Sequence, residues 1–170
     1  GCIEIVDRVL TKNHWHQYIN PQREIDAGAM RVHGITNEFV SDKPLFRECI
    51  EDFIEFVRGK ELIIHNAPFD VGFINHEFAL CGKKYGVIED YCRIKDSLIL
   101  ARQKHMGQKN TLDALCQRYG VDNSNRDFHG ALLDSELLAQ GYLYMTGGQK
   151  QLFAGGGALE EGSAETIESH

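Results

Sequence analysis

The chain has 170 residues, with 18 Lys plus Arg against 25 Asp plus Glu, a net charge of −7. That length builds one ordinary domain with a real core, and the acidity excludes a protein that coats nucleic acid through bulk positive charge. It does not exclude a nuclease, whose metal ligands are carboxylates. No apolar run reaches the ~18 residues of a membrane span, and no basic-then-apolar signal peptide opens the chain.

The first residues, Gly1-Cys2-Ile3-Glu4-Ile5-Val6, read like the inside of a strand, which suggests that the start of the protein lies upstream. Residues 1–10 and 14–19 alternate as two strands, with Lys12-Asn13 as the hairpin turn. Residues 20–43 read as irregular. Ser41 or Asp42 then caps a helix, with Pro44 near its first turn. Leu45, Phe46, Cys49, Ile50, Phe53, Ile54 and Val57 follow at helical spacing, and Gly59 ends the run. Leu62-Ile63-Ile64 is the short apolar run of a buried strand. Asn66-Ala67-Pro68-Phe69 breaks it, and a helix runs from about Asp70 to Cys81, stopped by Gly82. Asp96 caps a helix through Arg102. Asn110 or Thr111 opens another that Gly120 closes, and the last strong helix spans about Gly130 to Met145. This order gives a mixed α/β domain over residues 1–147, a sheet covered by helices. Residues 148–170, rich in Gly and Glu, read as a flexible tail.

The five cysteines contain no CxxC pair, and Cys49 and Cys116 fall in apolar helical patterns, where a thiol behaves as a small hydrophobe. This fits a reducing cytoplasm and argues against a disulfide scaffold or structural zinc. His14 and His16 flank Trp15 on one strand face. His76 and His105 read as surface helix residues.

Two carboxylates sit where core residues belong. Asp134, read as mid-helix, has Gly130, Ala131, Leu137 and Leu138 as its face neighbours. Asp70 has Ala67, Phe73 and Ile74. A carboxylate on an apolar stripe costs several kcal/mol unless a cation, donor or proton satisfies it. Asp70 is therefore an N-cap or a functional ligand, and Asp134 is a structural anomaly or a metal or catalytic group. Asp70 also follows a buried strand's carboxyl end, where α/β sites collect. His129 is a surface histidine or, from a loop before the last helix, a general base. Asp96 and Asp113 read as helix caps, and Asp26, Asp122 and Asp127 as loop residues. Two isolated carboxylates and a loop histidine, without a nucleophile elbow or phosphate loop, favour a divalent-metal hydrolase acting on phosphodiesters. Two such ions, ~3.5–4 Å apart, need more carboxylates than Asp70 and Asp134.

At this point His65-Asn66-Ala67-Pro68-Phe69-Asp70-Val71-Gly72-Phe73 resembles the second motif of the DEDDh (DnaQ-like) 3′–5′ exonucleases. Phe128-His129-Gly130-Ala131-Leu132-Leu133-Asp134 resembles their third motif, and Val32-His33-Gly34-Ile35 the segment lining the 3′-terminal nucleotide. Thr111–Cys116 and Met145–Gln149 are similar to the epsilon proofreading branch, which serves bacterial DNA polymerase III. The resemblance covers about residues 1–153. It implies a ribonuclease H-like fold and two divalent ions (Mg²⁺ or Mn²⁺) with Asp70 and Asp134 among their ligands. It implies His129 as the base, and Val32, His33, Asn66 and Phe69 against the substrate. The implied partners are a DNA 3′ end, the polymerase III alpha subunit, a small theta-like subunit and, through Gln149, Leu152 and Phe153 of a QxxLF peptide, the sliding clamp. The family's first motif, D-x-E on the first strand, is absent, so the resemblance implies a missing strand, two missing ligands and little activity. An RNA 3′-end trimmer and a non-catalytic scaffold subunit are the alternatives.

Overall fold

The computed structural model describes residues 1–124, 130–153 and 165–168, with residues 32, 33, 148–153 and 165–168 described by their backbone alone. Strands β1 (Cys2–Val6) and β2 (Val9–Trp15) form the expected hairpin, but its turn is Asp7-Arg8 rather than Lys12-Asn13. Both turn residues take positive φ, 51° and 65°, the left-handed pair that a two-residue hairpin demands. Lys12 and Asn13 lie inside β2. As an edge strand with Val9 64% exposed, β2 carries polar residues that imitate a turn.

The stretch expected to be irregular holds two short helices, α1 (Ala27–His33) and α2 (Asn37–Val40). The Asp26 carboxylate accepts from the amides of Gly28 and Ala29, and Thr36 Oγ1 from that of Phe39. These caps replace the apolar period that reveals longer helices. Helix α3 (Phe46–Val57) buries Cys49, Ile50, Phe53, Ile54 and Val57 as its spacing predicts. Its N-cap is Leu45; Ser41, an expected cap, ends α2 instead. Strand β3 (Glu61–Ile64) leads into α4 (Ala67–Cys81). Strand β4 (Arg93–Asp96), which alternation did not reveal, precedes α5 (Ser97–Lys104) and α6 (Leu112–Tyr119). Helix α7 (Ala131–Phe153) runs eight residues past its expected end at Met145.

Residues Glu165–Glu168, expected in a flexible tail, form β5. The sheet order is β2-β1-β5-β3-β4, so β5 holds the centre, antiparallel to β1 and parallel to β3. Ile167 pairs with Ile3 and Ile63 in one cross-sheet row. A central strand ordinarily reads as a continuous apolar run. Glu-Thr-Ile-Glu does not, which is why pattern reading passes over it. One sheet face packs Leu62 and Ile64 with Phe53, Val57 and Phe78 of α3 and α4. The other packs Ile5 and Ile63 with Leu115 of α6 and Leu138, Tyr142 and Met145 of α7. Helices thus cover both faces of a mixed sheet, as the α/β reading expects.

One ion pair ties the hairpin to the strand approach. Lys60 Nζ lies 2.8 Å from Glu4 Oε2, and Thr11 Oγ1 donates to Glu4 Oε1 at 3.1 Å. The hydrogen bond from Lys60 outweighs burial and holds the Glu4 carboxyl below its ordinary value of 4.5. A carboxyl depressed in the folded state stabilises above its unfolded pKa, and that contribution is lost as pH falls through the folded value. Glu4→Gln is therefore expected to cost about 1 kcal/mol at pH 7 and almost nothing well below pH 4. Urea unfolding at the two pH values checks this; an equal loss at both would contradict it.

Candidate active site

The site begins where β3 ends. Leu62, Ile63 and Ile64 are fully buried, and His65, 7% exposed, continues them into the interior. His65 Nδ1 lies 3.0 Å from Ser97 Oγ, and its Nε2 lies 2.6 Å from the Asn110 carbonyl. Asn66 then takes a left-handed conformation (φ 69°, ψ 60°), which Asn tolerates better than most residues. That turn starts α4 at Ala67, three residues before the sequence suggested, with Pro68 in its first turn.

Asp96 fixes this junction. It stands at the end of β4, in register with Ile64. Its carboxylate accepts from Asn66 N and Ala67 N, both at 3.1 Å, and from Leu98 N at 2.8 Å. The sequence identified it as the cap of α5, which it is. It also holds the start of α4, a contact between neighbouring strand ends that no local spacing could show.

Asp70 follows in the first turn of α4 and is 7% exposed. It is not the N-cap, because Asn66 occupies that position. Its neighbour Ile74 is buried as expected, whereas Phe73 is 49% exposed and meets the 53%-exposed Phe69 at a ring separation of 5.0 Å. A buried carboxylate thus stands beside an exposed aromatic pair.

Asp134 lies in the first turn of α7, not mid-helix, and is half-buried above the buried Leu137 and Leu138. A first-turn carboxylate complements the helix dipole, a stabilisation the mid-helix reading did not allow. This end of α7 is tied to β1: Ser135 Oγ donates to the Gly1 carbonyl at 2.7 Å, and a Cβ on Gly1 would lie 3.1 Å from Ala131 backbone carbon. Gly130 faces Tyr18 and His16, whose hydroxyl and Nε2 would lie 3.5 and 3.9 Å from a Cβ placed there. His16 and Tyr18 stack edge to face at 5.0 Å, and burial pushes the His16 imidazole below its usual range. The chain reversal after β2 brings these two residues beside α7, which sequence spacing could not show.

His129 lies outside the described residues. Val32 and His33 close α1, and Gln149, Leu152 and Phe153 lie in the last turns of α7; of these five, only the backbone is described. His105 is not a surface residue: it ends α5 half-buried, with Nε2 2.5 Å from Tyr119 Oη. Among the described residues, no three His, Cys, Asp or Glu side chains gather as a metal site. Nor is any described helix long and apolar enough to cross a membrane.

A family model described as Exonuclease (RNase_T) matches residues 1–142. The chain is 47% identical to the DNA polymerase III subunit epsilon of Escherichia coli over 166 residues, covering 97% of this chain and 68% of that protein. The chain belongs to the epsilon family of exonucleases. The epsilon subunit of Pasteurella multocida is 51% identical over 153 residues, 90% of this chain, and that of Haemophilus influenzae 49% identical over 162. The chain spans 60% of the Pasteurella relative and 63% of the Haemophilus one. In fold it is similar to Exonuclease X, solved with 5′-overhanging duplex DNA, at a TM-score of 0.63 and 21% identity, covering 94% of this chain and 84% of that one. The ribonuclease H-like exonuclease architecture expected from the motifs is therefore the observed one. The resemblance expects a D-x-E strand at the sheet's centre; in this epsilon-family chain β5 stands there, between β1 and β3.

Proposed function

We propose that the protein is a 3′–5′ exonuclease that removes mismatched 3′-terminal nucleotides from DNA during replication. The observation that carries this reading is Asp70: a carboxylate 7% exposed, in the first turn of a helix that starts at the carboxyl end of a buried strand. Aspartates are rarely buried to this extent, and those that are concentrate at functional sites. Asp134 opens the second helix of the site. Both are hard oxygen donors, the type that Mg²⁺ and Mn²⁺ prefer. They fit part of a two-ion site; two ions need further ligands. When bound, such ions polarise the phosphodiester and lower the pKa of water.

The chain's own residues do the rest. Asp70 and Asp134 hold the ions, and Asp96 fixes the helix start that carries Asp70. His129, just before α7, takes the proton of the attacking water. Asn66 positions the strand, and the exposed Phe69 presents a ring on which a terminal base stacks; the motif resemblance supports Val32 and His33 as further contacts to the terminal nucleotide. The QxxLF outline of Gln149, Leu152 and Phe153 supports a sliding-clamp contact. Family membership supports the polymerase III alpha subunit and a small theta-like subunit as partners.

Phe69→Ala is expected to raise KM for a single-stranded DNA 3′ end about tenfold, since base–aromatic stacking is worth ~1–3 kcal/mol. Steady-state kinetics on end-labelled DNA and RNA of one sequence test both points. An unchanged KM removes Phe69 from the site, and faster cleavage of RNA assigns the protein to RNA trimming instead.

A further inference from the structure

At the carboxyl end of β3 lies a cavity of about 710 Å³, a size that seats a nucleotide. It shares His65 and Asn66 with the start of α4. Its far wall includes Leu138, four residues after Asp134 and so about 6 Å along the same face of α7. The remaining wall is the loop from α5 to α6, and the charge of that region departs from the rest of the molecule. Residues 97–120 carry Arg102, Lys104, Lys109 and Arg118 against the single carboxylate of Asp113, in a chain whose net charge is −7.

A solvated helix end accounts for some of this, because Arg102 and Lys104 suit the last turn of α5. It does not account for the loop's construction. Asn110, 8% exposed, donates through Nδ2 to the Gln108 carbonyl at 3.1 Å and to the His105 carbonyl at 3.4 Å. Arg118 donates to Asn110 Oδ1 at 3.0 Å and to the Lys109 carbonyl at 2.6 Å. The buried His65 holds the Asn110 carbonyl from below. These bonds fix the loop's conformation beside the cavity, whose lining includes Met106, 82% exposed. Among the described residues, no salt bridge links Arg102, Lys104 or Lys109 to a carboxylate.

We propose that this cavity binds the single-stranded DNA that precedes the scissile phosphate, with Arg102 of its lining and Lys104 and Lys109, the chain neighbours of lining residues, on its phosphates and Met106 against a base. Cations along a groove with an apolar contact for bases are what single-stranded nucleic acid requires. The proposal rests on the exonuclease reading and extends it from the terminal nucleotide to the strand's path.

The test is fluorescence anisotropy of a 5′-labelled 12-nucleotide oligo-dT, titrated with the 170-residue chain in EDTA across a range of salt concentrations. The triple variant Arg102→Gln/Lys104→Gln/Lys109→Gln is expected to bind at least about tenfold more weakly. Its slope of log K against log salt should fall by about 2, at ~0.7 per released phosphate contact. Lys12→Gln/Lys83→Gln/Lys84→Gln, the same charge change on exposed lysines elsewhere, should leave affinity within about twofold. Met106→Ala should weaken binding severalfold without changing the slope. Equal losses in the two triple variants would overturn the proposal, as would an unchanged slope in the first. Failure of the unmodified chain to bind oligo-dT would overturn it too, whereas the exonuclease reading stands or falls on the cleavage of end-labelled DNA. Circular dichroism of each variant separates lost binding from lost fold.

Discussion

Asp134→Ala is expected to lower metal-dependent release of 3′-terminal nucleotides by at least about a hundredfold, the scale of removing a group that stabilises charge in the transition state. Its effect on stability is small. Asp134 is half-buried in the first turn of α7, so the loss is a helix-dipole interaction of ~0.3–1 kcal/mol, partly offset by the helix propensity of Ala. Asp70→Ala behaves alike: it also removes a first-turn acid, so Tm is expected to fall by a few degrees at most while activity falls at least as far. Thermal unfolding and single-turnover rates on the same preparations check both variants. A fall in Tm that matches the fall in rate would make Asp70 a structural residue.

Asp96→Ala has the larger effect on the fold. One carboxylate accepts three backbone N–H groups, two at the start of α4 and one at the start of α5. At ~1 kcal/mol for each lost cap the expected destabilisation is about 3 kcal/mol. That lowers Tm by roughly 6–12 °C for a chain of this size. The same change releases the turn at Asn66 that aims Asp70, so activity falls with stability. Asp96→Asn keeps one acceptor oxygen and should lie between. If Asp96→Ala lowers Tm no more than an ordinary single cap, the shared-carboxylate account of this junction is wrong.

The parts of the fold legible in sequence are those whose stabilisation is local and apolar. Helix α3 and strand β3 announce themselves by spacing and by an unbroken apolar run. The caps of α5 and α6 follow from Asp96 and Thr111. Elements held by contacts distant in sequence were not legible. Strand β4 is a four-residue edge, helices α1 and α2 bury little, and β5 takes the centre of the sheet with a polar sequence. For the site, the two carboxylates stood out because each falls on an apolar stripe; Asp70 is 7% exposed and Asp134 half-buried. Their settings were less legible. Asp134 was placed mid-helix because its helix start lies in a Gly-Ala pair without an obvious cap, and Asp70 competed with a capping role that the distant Asp96 carboxylate fills. The second role of Asp96, and the placing of His16 and Tyr18 against Gly130, depend on neighbours 29 to 114 residues away. No periodicity reports those.

The measurement that bears most directly on the account is the polarity and Asp134-dependence of cleavage. With the chain in excess over a 3′-mismatched primer–template and Mn²⁺ present, labels at the 3′ and 5′ ends are followed separately. The account predicts loss of the 3′ label as single nucleotides, and no loss in Asp134→Ala. Cleavage that starts at the 5′ end, cuts internally, or survives Asp134→Ala would contradict it.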